Sequence, residues 1–412
     1  MTDTLFVQFY NKSKSGYYDL CNGFSDTYDL CAGTGDFYWT EHEPDRGKWY
    51  SEETYQGREL PINKGKVYIS AIYANHLFQA YVWAKAYPDI TFTVGGPVAA
   101  ERCIEAKQWN PIYLIVDDGF SIPDNLIITG KSVEDIFGVP NFSGRWKLDI
   151  PQFVPETAKI YFSYTIDNGC YWKKCEFCNI ALHAREAFRA RKEMHLEFKD
   201  LDHPGHKIVR LNTGSIPLQF IRQTLPKLPR RGDMEYRMFI RTGRAENAAL
   251  KEMLAGYEGR FPSSILGFGM EFPSNRMLKS MGKGCTTEDV LAFIRICRGR
   301  DIRINANFIL GWNNLTEADL GELKGFLEAM PENAFTSLQA RWLLAHPYSK
   351  IHDTYQGEPI RLGPFYEGFR VNINDEQMLL NQKAADIVEK YSVIKNYKLE
   401  GMPNIRKQLS GA

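Results

Sequence analysis

Six apolar runs rich in β-branched and aromatic residues recur between residues 159 and 345: KIYFSYTID, KIVRLNTG, EYRMFIRTG, SILGFGME, DIRINANFILG and FTSLQARWLLA. Helical patterns lie between them, namely LQFIRQTLPKL, AENAALKEMLAGY, TTEDVLAFIRICRGR and TEADLGELKGFLEAM, the third opening at Thr286 or Thr287 ahead of acidic residues. Short strands alternating with amphipathic helices predict parallel strands joined by crossovers. Six such units predict a full or partial (β/α) barrel, with its chemistry at the carboxyl ends of the strands.

Just after the first of these strands, DNGCYWKKCEFCNI places Cys170, Cys175 and Cys178 within nine positions. A tetrahedral zinc site or an ordinary four-cysteine iron–sulfur cluster needs a fourth ligand, and His183 is the only candidate nearby. Three thiolates on a four-iron cluster instead leave one iron open to a small molecule, as catalytic metals keep a free position. Eight cysteines in 412 residues do not suggest a disulfide framework.

The chain is longer than one core usually serves, so two domains are expected. From residue 66, KVYISAIYAN, HLFQAYVWAKAYP and DITFTVGGPVAAE read as strand, helix and strand. PIYLIVDD and NLIITGKSVEDIFG add a second short unit, its helix opening at Lys131 or Ser132. This is a small Rossmann-like parallel α/β domain. Gly95 and Gly96 follow a strand, where a backbone turns tightly or lets a ligand approach. Between the first strand, LFVQFYN, and VYISAIY lies an aromatic and acidic segment that reads as irregular. The repeat YDLC, at 18–21 and 28–31, reads as chance. VPNFSGRWKLDIPQFVPETA, with three prolines, is a connection. The division is therefore 1–140 for the first domain, 141–154 for a linker, 155–350 for the barrel and 351–412 for a C-terminal helical extension whose helix, EQMLLNQKAADIVEKYS, is assigned to packing.

Zero formal net charge conceals an asymmetry. Residues 1–60 hold eleven acidic side chains against five basic, and residues 170–260 hold eighteen basic against eleven acidic. The basic middle could draw an anionic ligand or form a solvated face; with no run of five like charges, a nucleic-acid partner is not expected, though not excluded. There is no run of about 18 apolar residues and no basic-then-apolar leader at MTDTLFVQFYNKSKSG, so a cytoplasmic protein without a membrane segment is expected.

The cysteine loop resembles that of the radical S-adenosylmethionine superfamily, whose usual spacing is three and then two residues with an aromatic before the last cysteine. Here GCYWKKCEFC has four and then two, with Phe177 as the aromatic. The resemblance extends over about residues 155–350 through GFGMEFPSNRMLKSMGKGCTTEDVLAFIRICRGRDIRINANFILGWNNLTEADL, and through HPYSKIHD, which is similar to the turn after the sixth barrel strand. It implies a 4Fe-4S cluster on Cys170, Cys175 and Cys178, with S-adenosylmethionine chelating the open iron. Its reductive cleavage would give a 5′-deoxyadenosyl radical, and a flavodoxin or ferredoxin would donate the electron. By matching positions, Phe177 packs near the adenine and Asn212, Thr213, Gly214 and Ser215 meet the methionine amino group. Arg241 pairs with the carboxylate, Glu271 holds the ribose hydroxyls, and the backbone from Ile309 to Gly311 meets the adenine.

The N-terminal domain resembles the cobalamin-binding domain of a large branch of the superfamily. VGGP, with Gly95 and Gly96, follows one strand, and a second ends at Gly130 with Glu134 four residues on. That branch commonly methylates unactivated carbon through cobalt. The Asp-x-His-x-x-Gly motif is absent, and the irregular segment stands where a complete fold carries another strand and helix, so a domain that has lost cobalamin is an open alternative. Three readings follow: cobalamin-dependent C-methylation, a cobalamin-free radical rearrangement, oxidation or cleavage, and a cluster-bearing protein without turnover. The substrate, the modified carbon, the electron donor and the oligomeric state are not written in these motifs.

Overall fold

The computed structural model describes residues 4–12, 17–19, 36–41, 59–70, 74–95, 121–129, 154–165, 170–178, 204–212, 214–228, 231–256, 263–346, 349–352, 354–355, 357–362 and 365–409. Two compact units make up the chain.

The first unit is built on a parallel sheet of β1 (Thr4–Lys12), β2 (Asp36–Glu41), β3 (Gly65–Ser70), β4 (Ile90–Gly95) and the short β5 (Leu126–Ile128), with α1 (Ala74–Ala86) crossing from β3 to β4. Strand order is β2-β1-β3-β4-β5. The expectation of an irregular segment between the first two strands is overturned: Asp36–Glu41 pairs with β1 from Leu5↔Asp36 to Tyr10↔Glu41. DFYWTE places a run of aromatic residues, good strand formers, between acidic ends, and that composition masks any apolar period. Order 2-1-3-4-5 reverses direction between β1 and β3, which is where open α/β sheets take ligands at the strands' carboxyl ends.

The core of this sheet comes from its own alternation. Val67 and Ile69 of β3 and Ile90, Phe92 and Val94 of β4 are buried, and Leu77 to Ala84 of α1 bury with them. Asn125 ties the layers by donating to the carbonyls of Ala84, Tyr87 and Ile90 at 2.8 to 3.1 Å.

The second architecture is a curled parallel half-barrel of seven strands. They are β6 (Lys159–Thr165), β7 (Lys207–Asn212), β8 (Met234–Phe239), β9 (Ser263–Glu271), β10 (Ile304–Leu310), β11 (Ser337–Trp342) and β12 (Lys398–Glu400), in that order. The first six are the runs read from the sequence. The seventh comes from the C-terminal extension, whose KLE pairs in register with Ser337, Leu338 and Gln339.

Helices α2 (Leu218–Gln223), α3 (Arg244–Ala255), α4 (Asn275–Ser280), α5 (Thr287–Arg298), α6 (Glu317–Ala329), α7 (Asp375–Ile394) and α8 (Met402–Leu409) complete this part. The expected helix over LQFIRQTLPKL stops at Gln223 and continues only as a single tight turn at Leu225–Lys227, because Pro226 lacks an N–H and disfavours helical geometry before it. Thr286 and Thr316 open α5 and α6 with reciprocal caps from Asp289 and Asp319.

Alternation along the strands sets two faces. Met234, Tyr236 and Met238 of β8, Leu266, Phe268 and Met270 of β9, and Ile304, Ala306, Phe308 and Leu310 of β10 are buried. Phe268 meets Phe293 of α5 edge-on at 5.1 Å between centroids. On the opposite face Asn305, Asn307 and Ile309 stay half-buried. No helix among the described residues is long and apolar enough to cross a membrane.

Candidate functional site

The cysteine loop, residues 170–178, follows β6 and is fastened to three other segments. An isolated parallel bridge pairs Cys170 with Ser215, just past β7. Glu176 N–H donates to Met281 O at 3.0 Å, and Trp172 Nε1 donates to Gly282 O at 2.7 Å. On the far side Ile351 N–H donates to Glu176 O at 3.1 Å, while Lys350 Nζ reaches the Glu176 carboxylate at 2.7 Å. Cys178 N–H closes back on Cys175 O, so the last two cysteines share one turn.

Residues 281–284, Met-Gly-Lys-Gly, form the seat of this loop. Gly282 and Gly284 have φ of +69° and +63°, conformations that L side chains rarely adopt. A Cβ on Gly282 would strike Lys174 O, and one on Gly284 would strike the Trp172 ring. Both glycines are thus required twice, by backbone conformation and by close approach of the loop.

Between them Lys283 turns inward. Its Nζ lies 3.0 Å from Glu271 Oε1 and 5.9 Å from the Phe177 ring centre, with its side chain 12 % exposed. Burial pulls the ammonium down, but the Glu271 carboxylate and then the neighbouring thiols more than offset it, leaving Lys283 above the ordinary lysine range. Glu271 has φ +58°, beside a register shift between β9 and β10. Its carboxylate folds back over Gly269, where a Cβ would collide with both Glu271 and Lys283.

Burial pushes the Cys175 thiol up to about 12, against the pull of Lys283 and with the other two cysteines and Glu271 adding to the rise. Among the described residues no group of three or more His, Cys, Asp or Glu side chains is placed to hold a metal ion. The fit to an iron–sulfur cluster rests on donor chemistry, three soft sulfurs on one loop beside a buried cation.

Of the other expected site residues, Phe177 packs edge-on to Trp312 at 6.1 Å. Trp312 Nε1 donates to Ile309 O at 2.9 Å, which brings the end of β10 to the cysteine loop. Gly311 has φ +91° with the Trp342 ring where a Cβ would be, and its N–H donates to Asn381 of α7 at 2.7 Å. Asn212 ends β7, Gly214 is half-buried and Ser215 is buried. Arg241 places Nη1 2.5 Å from Glu246 Oε1 and Nη2 2.7 Å from Lys283 O. Gly95 is the buried last residue of β4. Gly96, Gly130, Glu134, Thr213 and His183, the strand expected at 111–118 and all of the linker except Val154 lie outside the described residues. Lys283, Glu246, Trp172 and Asn381 were not singled out from the sequence. A lysine between two glycines was the one visible signal.

In fold the chain is similar to solved radical S-adenosylmethionine enzymes, at low sequence identity. The radical S-adenosylmethionine methyltransferase TsrM from Kitasatospora setae, solved with cobalamin and a [4Fe-4S] cluster, matches with a TM-score of 0.50 and 14 % identity over 85 % of this chain and 74 % of that one. The cobalamin-dependent S-adenosylmethionine radical enzyme OxsB, solved with aqua-cobalamin, matches with a TM-score of 0.50 and 14 % identity over 96 % of this chain and 62 % of that one. No protein-family model and no curated protein matches the sequence.

Proposed function

We propose that this protein is a radical S-adenosylmethionine enzyme that C-methylates its substrate with cobalamin. The observation that carries the radical chemistry is the loop of Cys170, Cys175 and Cys178 set against the buried Lys283–Glu271 pair. When bound, a cluster held by these cysteines would supply the electron for cleaving S-adenosylmethionine, and cobalamin would supply a carrier for the methyl group.

The chain's own residues bind and orient. Cys170, Cys175 and Cys178 would hold the cluster through their thiolates and leave a coordination position for S-adenosylmethionine. Lys283, a desolvated cation on the loop's seat, attracts that carboxylate. Glu271 is oriented by Lys283 for the ribose hydroxyls. Phe177, Trp312 and the backbone from Ile309 to Gly311 offer an aromatic and amide-edged surface for adenine. The Asn212–Ser215 stretch, anchored through Ser215, remains the candidate for the amino group. In the N-terminal sheet, the crevice at the carboxyl ends of β1 and β3 and the end of β4 at Gly95 are where a large cofactor fits by topology. The strand at Asp36–Glu41, which fills the place where the domain looked short, supports cobalamin over a domain that has lost it.

Anaerobic purification from cells supplied with cobalamin, with iron, cobalamin and 5′-deoxyadenosine release measured per chain, tests this. About four irons, bound cobalamin and 5′-deoxyadenosine that vanishes in a Cys170→Ala, Cys175→Ala, Cys178→Ala variant are expected. Iron and 5′-deoxyadenosine without cobalamin would remove the methylation reading and leave a cobalamin-free radical enzyme; iron without 5′-deoxyadenosine would remove both.

A further inference from the structure

The spacer between the first two cysteines is Tyr171, Trp172, Lys173 and Lys174, and its conformation is not one the chain adopts unaided. Lys173 has φ +55°, a left-handed setting that costs a non-glycine residue about 1–2 kcal/mol and persists only where the surroundings impose it. The surroundings here converge on one side chain. The Arg241 guanidinium lies 3.6 Å from the Trp172 ring centre, a close cation–π stack. Its Nη1 is paired with Glu246, to which the Tyr171 hydroxyl also donates, and its Nη2 donates to the carbonyl of Lys283. The backbone N–H of Arg241 donates to Ser215 Oγ at 3.0 Å, and Ser215 is the bridge partner of Cys170.

One residue therefore touches both ends of the spacer. Through Ser215 it holds the strand-end geometry at Cys170. Through Trp172, Glu246 and Lys283 O it holds the chain on its way to Cys175. The side chains of Arg241 and Glu246 are 10 % and 4 % exposed, so this is a buried network in which a missing member leaves unpaired polar groups.

We propose that Arg241 and Trp172 are positioning residues that fix the four-residue spacer, setting the separation of Cys170 from Cys175 so that both thiols reach one cluster. The inference rests on the cluster reading above and assigns Arg241 to the loop. Only a planar guanidinium both stacks on an indole and forks to a carboxylate and a carbonyl, so lysine at 241 keeps the charge and loses the clamp.

Limited trypsin digestion of the apo-protein reads the anchoring without any cofactor, since Lys173 and Lys174 are cleavage sites in the spacer itself. Trp172→Ala is the cleaner variant because it leaves Arg241 and Glu246 paired; Arg241→Lys tests the fork, and Trp172→Phe, which keeps a ring to stack on, provides a mild variant that folds. Cleavage at Lys173 and Lys174 is expected to rise about tenfold in Trp172→Ala and Arg241→Lys, and less in Trp172→Phe, while cleavage elsewhere stays at the wild-type rate. After reconstitution the first two variants should hold less than half the wild-type iron, with an altered electron paramagnetic resonance spectrum in what remains. Wild-type cleavage and wild-type iron in both overturn the clamp. A wild-type chain that takes up no iron overturns the cluster reading, and with it the purpose assigned to the clamp.

Discussion

Asn381, in the middle of α7, accepts the N–H of Gly311 at 2.7 Å and donates to Trp312 O at 2.8 Å, pinning the turn after β10 from 70 residues away. A third bond, to Gln377 O at 2.8 Å, fixes the amide's orientation, and the residue is fully buried. Replacing it with leucine leaves the Gly311 N–H without this partner, at a cost of about 1–3 kcal/mol. We expect Asn381→Leu to lower the thermal midpoint by several degrees and to weaken adenosine-moiety binding. Melting curves with and without S-adenosylmethionine check both.

Gly284→Ala sets a methyl group against the Trp172 ring at a backbone position with φ +63°. The loop must lift from its seat. We expect iron incorporation to fall sharply while far-UV circular dichroism stays near wild type, because the displaced segment is short. Pairing Gly284→Ala with Trp172→Ala should leave only the backbone strain, about 1–2 kcal/mol.

Lys283→Met removes the cation and strands the Glu271 carboxylate, whose side chain is 8 % exposed. Breaking a buried pair on one side costs about 3–5 kcal/mol, whereas removing both charges is often near neutral. Lys283→Met with Glu271→Gln should therefore recover denaturant stability lost by Lys283→Met alone. S-adenosylmethionine binding should recover in neither, staying weaker by roughly thirtyfold or more, as expected for a lost buried ionic contact. Isothermal titration of the reconstituted protein separates these outcomes.

Asp319 links two helix starts. It accepts from Ser274 Oγ at 2.5 Å and from Thr316 N–H at 2.8 Å, and it pairs with Arg276. Burial opposes the charge, but Arg276, Ser274 and Thr316 together hold the carboxyl below its ordinary value of 3.8. A lowered folded value means that the stabilisation is complete above the ordinary value and is lost as pH falls through the folded one. The urea midpoint of wild type should exceed that of Asp319→Asn by a constant margin above about pH 5, and the margin should shrink below the ordinary carboxylate value.

Much of this molecule was legible in the chain. The six barrel strands announced themselves by β-branched and aromatic runs, the helix start at Thr286 by its acidic first turn, and the three cysteines by spacing. These are local signals, set by side-chain period and by residue spacing within one loop. The strand at Asp36–Glu41 was hidden because its aromatics sit between acids, and what makes it a strand is β1 lying beside it. The seventh strand, Lys398–Glu400, offers only Leu399 between two charged residues, too little for a period, and is defined by its pairing with β11.

The sequence by itself determined an α/β architecture and the six central barrel strands, since short-range periodicity suffices for those. Only the tertiary structure decided which charges face the loop. Lys283 and Glu246 carry no signal of a role in the sequence, and Arg241 is placed there only by a resemblance. Their roles separate because folding buries Lys283 against Glu271, stacks Arg241 on Trp172 and leaves Glu246 to bind both Arg241 and Tyr171. In a low-dielectric interior each buried charge must find a specific partner, and that partner is chosen by where the backbone places it.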